Sequence, residues 1–189
     1  MRGRSDATVE AGGSFRDMAS TNLQVTSSAF GHGSTIPVQF TAEGDDIPPP
    51  LAWSPPPPGT RSVAILVEDP DAPNPDAPQR TFVHWIVTGI PAVVTSINGD
   101  LPAGAVAGTN DVGERAWTGP NPPIGRHRYF FRVFALDVEL DGQGMTKPEL
   151  LAAIKGHVLA QGELIGTYER AADLRSEKHG VVRTHRGYR

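Results

Sequence analysis

Arg61-Ser62-Val63-Ala64-Ile65-Leu66-Val67-Glu68 is an unbroken apolar run held between Gly59 and Pro70, and it reads as a strand buried on both faces. Two further runs have the same character: Thr81-Phe82-Val83-His84-Trp85-Ile86-Val87-Thr88, and Arg128-Tyr129-Phe130-Phe131-Arg132-Val133-Phe134-Ala135-Leu136-Asp137. Their β-branched and aromatic content favours strands, and the intervening segments are too short or too proline-rich for crossover helices. The expectation is a mainly β protein, a sandwich or open barrel with one or two peripheral helices.

Upstream, Leu23, Val25, Ser27 and Ala29 alternate, as do Ile36, Val38 and Phe40, which predicts two half-buried strands. The prolines of 48–50 and 55–58, on either side of Trp53, predict an extended surface or edge segment, since proline has no N–H to give to a ladder. Downstream, Thr146-Lys147-Pro148-Glu149 is a capping-box signal, and Leu150, Leu151, Ile154 and Val158 give the apolar face of a helix interrupted by Gly162. The segment Leu164-Ile165-Gly166-Thr167-Tyr168 then reads as either a last short strand or an irregular closure. Residues 1–20 are expected to be a flexible arm, 21–170 the domain, and 171–189 a basic tail.

Composition narrows the chemistry. The 189 residues include no cysteine, which removes disulfides, a thiolate nucleophile and Cys-ligated metal. A net charge of −4 does not suit a nucleic-acid-binding domain. No run has the length of a spanning helix and the N-terminus lacks the apolar core of a secretory signal, so a cytoplasmic location is expected.

Polar groups gather at the ends of the long runs. Asp69-Pro70-Asp71-Ala72-Pro73 puts two carboxylates in a proline-stiffened loop, where they either accept turn hydrogen bonds or form a site. His84 lies within an apolar run, either as a satisfied core histidine or as the lining of a polar pocket. Strict pleat alternation puts Phe82, His84 and Ile86 on one face and Val83, Trp85 and Val87 on the other. Gly119-Pro120-Asn121-Pro122-Pro123-Ile124-Gly125-Arg126-His127-Arg128-Tyr129 places His127 and Tyr129 on one side of the third run.

Together with Pro49-Pro50-Leu51-Ala52-Trp53 and Gly166-Thr167-Tyr168-Glu169-Arg170, these motifs give the chain a clear likeness. From about Leu23 to Arg170 it resembles the phosphatidylethanolamine-binding protein family, most closely the bacterial Raf-kinase-inhibitor-like branch. The resemblance implies a large antiparallel sheet packed on a smaller one, and a cavity for phosphate or a phospholipid head group. It places Asp69, Asp71, His84, Gly119, His127 and Tyr129 around that cavity, with Pro73 and Pro120 shaping the walls and a cis bond at Ala72-Pro73. Where relatives usually carry tyrosine before the Gly-Pro segment, this chain has Trp117-Thr118.

The chemistry of such a pocket follows from its side chains. The histidines, Tyr129 and backbone N–H groups near Gly119 are donors for an anion, and the carboxylates favour protonated histidines. Because those carboxylates repel an anion, a zwitterion of the phosphoethanolamine kind satisfies both signs. The ligand expected is therefore a small anion or zwitterion, with no cofactor, no resident metal and no catalysis. The alternative is a hydrolase or metal-dependent enzyme using the Asp/His/Tyr cavity, although no nucleophile elbow, P-loop, zincin helix or dinucleotide fingerprint is present. A kinase or protease partner would engage the rim loops around 72–79 and 117–124, and the bacterial relatives make a homodimer an expectation as well.

Overall fold

The computed structural model describes residues 21–140 and 144–171, so the expected arm and the expected tail lie outside the described residues. Nine strands are described: β1 (Thr21–Asn22), β2 (Val25–Thr26), β3 (Leu51–Trp53), β4 (Ser62–Asp69), β5 (Phe82–Pro91), β6 (Ser96–Ile97), β7 (Val106–Ala107), β8 (His127–Leu136) and β9 (Val158–Tyr168). One helix, α1 (Lys147–Ile154), precedes β9. The large sheet runs β1-β9-β8-β4-β5-β7 and the small one β2-β3-β6; every pairing is antiparallel except β1 with β9.

The central strand β4 is buried along all its length. Val63, Ile65 and Val67 point into the sandwich, against Leu51, Trp53 and Ile97 of the small sheet, while Ala64 and Leu66 point the other way, toward Leu150 and Ile154 of α1. Both faces of the large sheet are thus covered, which is why its central strands carry no polar alternation. The helix begins with the predicted capping box: Glu149 Oε2 accepts from the Thr146 backbone N–H at 2.8 Å. Among the described residues no helix is long and apolar enough to cross a membrane.

Three local expectations are corrected. Residues Val38–Phe40 form a 3-10 turn instead of a strand, because Pro37 cannot donate to a ladder and its carbonyl instead accepts from Phe40 N at 3.0 Å; Val38 is left 55% exposed. Leu51–Trp53 is the middle strand of the small sheet, not an edge, since the prolines stop short of the paired residues. The helix ends at Ile154, ahead of Gly156 at φ 82°, so Val158 opens an eleven-residue strand and Gly162 lies within β9.

Candidate functional site

The C-terminal end of β4 lies beside the N-terminal ends of its antiparallel neighbours β5 and β8. Asp69, Phe82 and His84, and His127 and Tyr129 are thereby brought to one place. Loop residues Ala42, Ala72, Pro73, Arg80, Val112, Thr118, Gly119, Asn121, Pro122 and Pro123 complete a cavity of about 290 Å³.

A β-bulge aims His84 into this space. Glu68 pairs with Val83 and Val67 with Trp85, so His84 is an extra residue on β5. Alternation therefore breaks at this point: Val83 joins Ile86 on the helix side, whereas Trp85 and Val87 face the sandwich. The His84 ring meets Tyr129 edge-on at 5.2 Å and lies 6.3 Å from Trp117, both members of the sandwich core. The expected separation of His84 from Trp85 onto opposite faces is corrected by one inserted residue.

The two histidines take opposite electrostatic roles. His127 is fully buried, with Nδ1 2.7 Å from Asp69 Oδ2 and Nε2 3.1 Å from the Ile124 carbonyl. Two acceptors are satisfied together only by a ring protonated on both nitrogens. Burial opposes that charge, but the hydrogen bond and charge of Asp69, the Ile124 carbonyl and Asp71 prevail and raise the pKa above its ordinary 6.5. His84 differs. Burial lowers its pKa and outweighs the Thr118 carbonyl and the charges of Asp69, Asp111 and Asp46. Its Nδ1 is 2.7 Å from the Thr118 oxygen, which leaves Nε2 as the ring nitrogen facing the cavity. Both ring nitrogens of His127 are thus engaged by Asp69 and Ile124, whereas His84 has a described partner at Nδ1 alone.

Tyr129 is fully buried, lines the cavity, and its hydroxyl has no hydrogen-bond partner. Burial first, then the charges of Asp69 and Asp71 and the neighbouring Tyr168, raise its pKa, so the group stays an O–H donor. Arg80 stands at the mouth with its guanidinium over the Phe82 ring at 5.0 Å, and it makes no ion pair among the described residues.

Of the residues expected here, Asp69, Pro73, His84, Gly119, His127 and Tyr129 line the cavity, and the Ala72–Pro73 bond is cis. Asp71 and Pro120 do not. Asp71 is turned to Arg128, accepting from its backbone N–H at 2.9 Å, Nε at 2.9 Å and Nη2 at 2.7 Å. Pro120 accepts from Ala42 N at 3.1 Å and ties two loops together. The Gly119 N–H, expected to be open to a ligand, instead donates to Asp46 Oδ1 at 2.6 Å. Trp117 stacks on Phe131 at 6.1 Å and meets Trp85 edge-on at 5.8 Å, so it builds the core beneath the site.

Sequence reasoning assigns no binding role to Arg80, Phe82, Thr118 or Asp46. Antiparallel neighbours of Asp69 must reach the same end of the sheet, and this marks Phe82 at the start of β5 and Arg80 just ahead of it. Asp46 sits in a polar turn with no comparable signal.

The family model described as Phosphatidylethanolamine-binding protein matches residues 26–169. A UPF0098 protein of Chlamydia muridarum is 42% identical over 149 residues, covering 78% of this chain and 99% of that protein. One from Methanothermobacter thermautotrophicus is 40% identical over 155 residues, with 78% and 99% covered. Among solved structures, the PEBP homolog CT736 of Chlamydia trachomatis superposes with a TM-score of 0.73 at 41% identity, over 80% of this chain and 99% of that one. YbcL of E. coli, described as a member of the mammalian PEBP family, gives a TM-score of 0.71 at 32% identity, over 79% and 99%. The matched residues include every strand end that lines the cavity, and on this match the chain belongs to the phosphatidylethanolamine-binding protein family.

Proposed function

We propose that the chain is a receptor for a small ligand of the phosphoethanolamine kind, one with a negative oxygen and a hydrogen-bond-donating group, held in the cavity at the ends of β4, β5 and β8. The observation that carries this reading is the Tyr129 hydroxyl, buried and unpartnered on a residue that lines the cavity. A buried polar group without a partner costs roughly 1–3 kcal/mol, and a ligand acceptor placed there would recover it. The mixed charges around the cavity support a ligand that carries both signs. The pairing of Asp69 with His127 offsets one carboxylate, and Arg80 adds a cation to the lining, set against the carboxylates of Asp46 and Asp111 that act on His84, so both signs are present around the cavity. A volume of about 290 Å³ is at the small end of ligand sites, so it suits a head-group-sized molecule and not acyl chains.

Binding without turnover is the reading we favour. Among the described residues the lining holds neither serine nor cysteine, both nitrogens of His127 are engaged, and the Thr118 hydroxyl has no described hydrogen bond to His84, whose Nδ1 is taken up by the Thr118 carbonyl.

The test is a titration of ¹⁵N-labelled protein with O-phosphoethanolamine, inorganic phosphate and ethanolamine in separate series. Saturable shifts at Gly119 and Tyr129, tightest with phosphoethanolamine and weakened in Tyr129→Phe, are expected. No saturable shift with any of the three would reject the proposal, and release of phosphate during the titration would move the assignment to a hydrolase.

A further inference from the structure

Thr118 and Gly119 share a peptide group whose two polar atoms are both engaged. Its carbonyl oxygen accepts from His84 Nδ1 at 2.7 Å, and its N–H donates to Asp46 Oδ1 at 2.6 Å. Thr118 N, in the preceding peptide, also donates to the His84 carbonyl at 3.1 Å, so Thr118 is held against His84 of β5 at two points. On the other side, Ala42 N donates to Pro120 O at 3.1 Å and fixes the Asp46 loop to the Gly119 loop a second time.

Two further features show that this geometry is built in. Asp46 has φ 53°, the one left-handed non-glycine residue among those described, a conformation that aspartate tolerates better than most residues but still at a cost. Gly119 has no room for a side chain: a Cβ there would lie 2.6 Å from Asp46 Oδ1 and 2.8 Å from the Phe40 oxygen. The close approach of the two loops therefore requires glycine at 119 and places the carboxylate directly on its amide.

The chemical consequence concerns a proton. A peptide whose N–H is given to a carboxylate is polarised, and its carbonyl becomes a stronger acceptor. Opposite that carbonyl the imidazole must place an N–H. A neutral ring has only one to give, so a proton on Nδ1 leaves a lone pair on Nε2. Burial keeps the His84 ring neutral.

We propose that Asp46 is a positioning residue which, through the Thr118–Gly119 peptide, fixes His84 as its Nδ1–H tautomer, so that the cavity presents an acceptor at His84 Nε2 together with the donor hydroxyl of Tyr129. The consequence for recognition rests on the ligand reading given above. A ligand must bring an acceptor to Tyr129 and a donor of its own to His84, which selects a monoprotonated phosphoryl group or an ammonium-bearing zwitterion over an oxyanion with no proton to give.

The experiment records long-range ¹H–¹⁵N correlations of the histidine rings in the ligand-free full chain, with His84→Gln to assign the signal. The parent is expected to show a protonated Nδ1 and an unprotonated Nε2 at neutral pH; an Nε2–H tautomer would overturn the proposal. Asp46→Gly suits the left-handed backbone but removes the acceptor. It is expected to put His84 into tautomer exchange and to weaken phosphoethanolamine roughly tenfold, the change for one charge-assisted hydrogen bond lost. Asp46→Asn keeps an oxygen acceptor and should retain the tautomer. An Asp46→Gly protein with parental ring shifts would reject the relay. Should that variant not fold, the parent decides: its Gly119 amide proton must exchange slowly, and free exchange would refute the Asp46 contact. If the tautomer responds as described but no probe binds the parent, the relay stands and the ligand reading falls.

Discussion

Asp69 holds His127 with one carboxylate oxygen and its own loop with the other: Oδ2 lies 2.7 Å from the imidazole Nδ1, and Oδ1 accepts the Asp71 backbone N–H at 2.7 Å. The residue that neutralises the buried cation therefore also sets the turn from β4 into the cavity wall.

The first prediction concerns that pair and pH. Because the folded-state pKa of His127 is raised above 6.5, its stabilisation is complete below about pH 6.5 and is lost as pH rises through the folded value. Asp69→Asn should destabilise the protein by roughly 3 kcal/mol at pH 6, as expected for breaking a buried pair, and by less at pH 9. Urea unfolding at the two pH values measures this; an equal loss at both would mean that His127 is not charged in the fold.

Tyr129→Phe should separate stability from binding. The hydroxyl has no partner in the free protein, so its removal should leave stability unchanged or raise it by up to roughly 1 kcal/mol. Affinity for phosphoethanolamine should nonetheless fall about tenfold, the cost of one hydrogen bond to a charged group. A large drop in melting temperature would show that the hydroxyl serves the fold.

Asp71 calls for the opposite kind of test. The Arg128 side-chain hydrogen bond lowers its pKa below the ordinary 3.8; burial resists this, and the Arg128 backbone N–H and the nearby charges assist it. A depressed acid stabilises above its unfolded pKa and ceases to do so as pH falls through the folded value. Arg128→Ala should therefore cost about 1 kcal/mol at pH 7, given that the guanidinium is largely exposed, and little at pH 2. Ligand affinity should stay at the parental level, because Asp71 is turned away from the cavity. Acid titration of both proteins by circular dichroism reads the first effect, and the ligand titration reads the second.

The sequence made the strong periodicities legible and hid whatever depends on register. The run from Ser62 to Asp69 was recognisable because both its faces meet apolar layers, and the Thr146 cap because its bonds are local. His84 was legible as a polar intrusion, but its direction was not, since the bulge exists only relative to β4. Residues 36–40 misled because their alternation was real while Pro37 turned the chain. The family motifs placed Asp71 at the site through its neighbours in sequence, whereas its partner Arg128 is 57 residues away. The Asp46 contact with Gly119 spans 73 residues and leaves no local trace.

Gly119→Ala tests whether the wall of the cavity is as tightly built as the geometry indicates. The added methyl would meet the Phe40 oxygen and the Thr41 carbonyl carbon, each at 2.8 Å, as well as Asp46 Oδ1 at 2.6 Å. The first two are backbone atoms, so relief cannot come from a rotamer change and the 119 loop itself must move outward. Overpacking of this kind costs roughly 1–3 kcal/mol. Moving the loop also pulls the Thr118 carbonyl away from His84 Nδ1, now at 2.7 Å. The expected result is a lower melting temperature together with weaker phosphoethanolamine binding and a changed His84 ring signal. Differential scanning calorimetry and the ligand titration would read these, and parental values in both would mean that the Asp46 and Gly119 loops are not in contact.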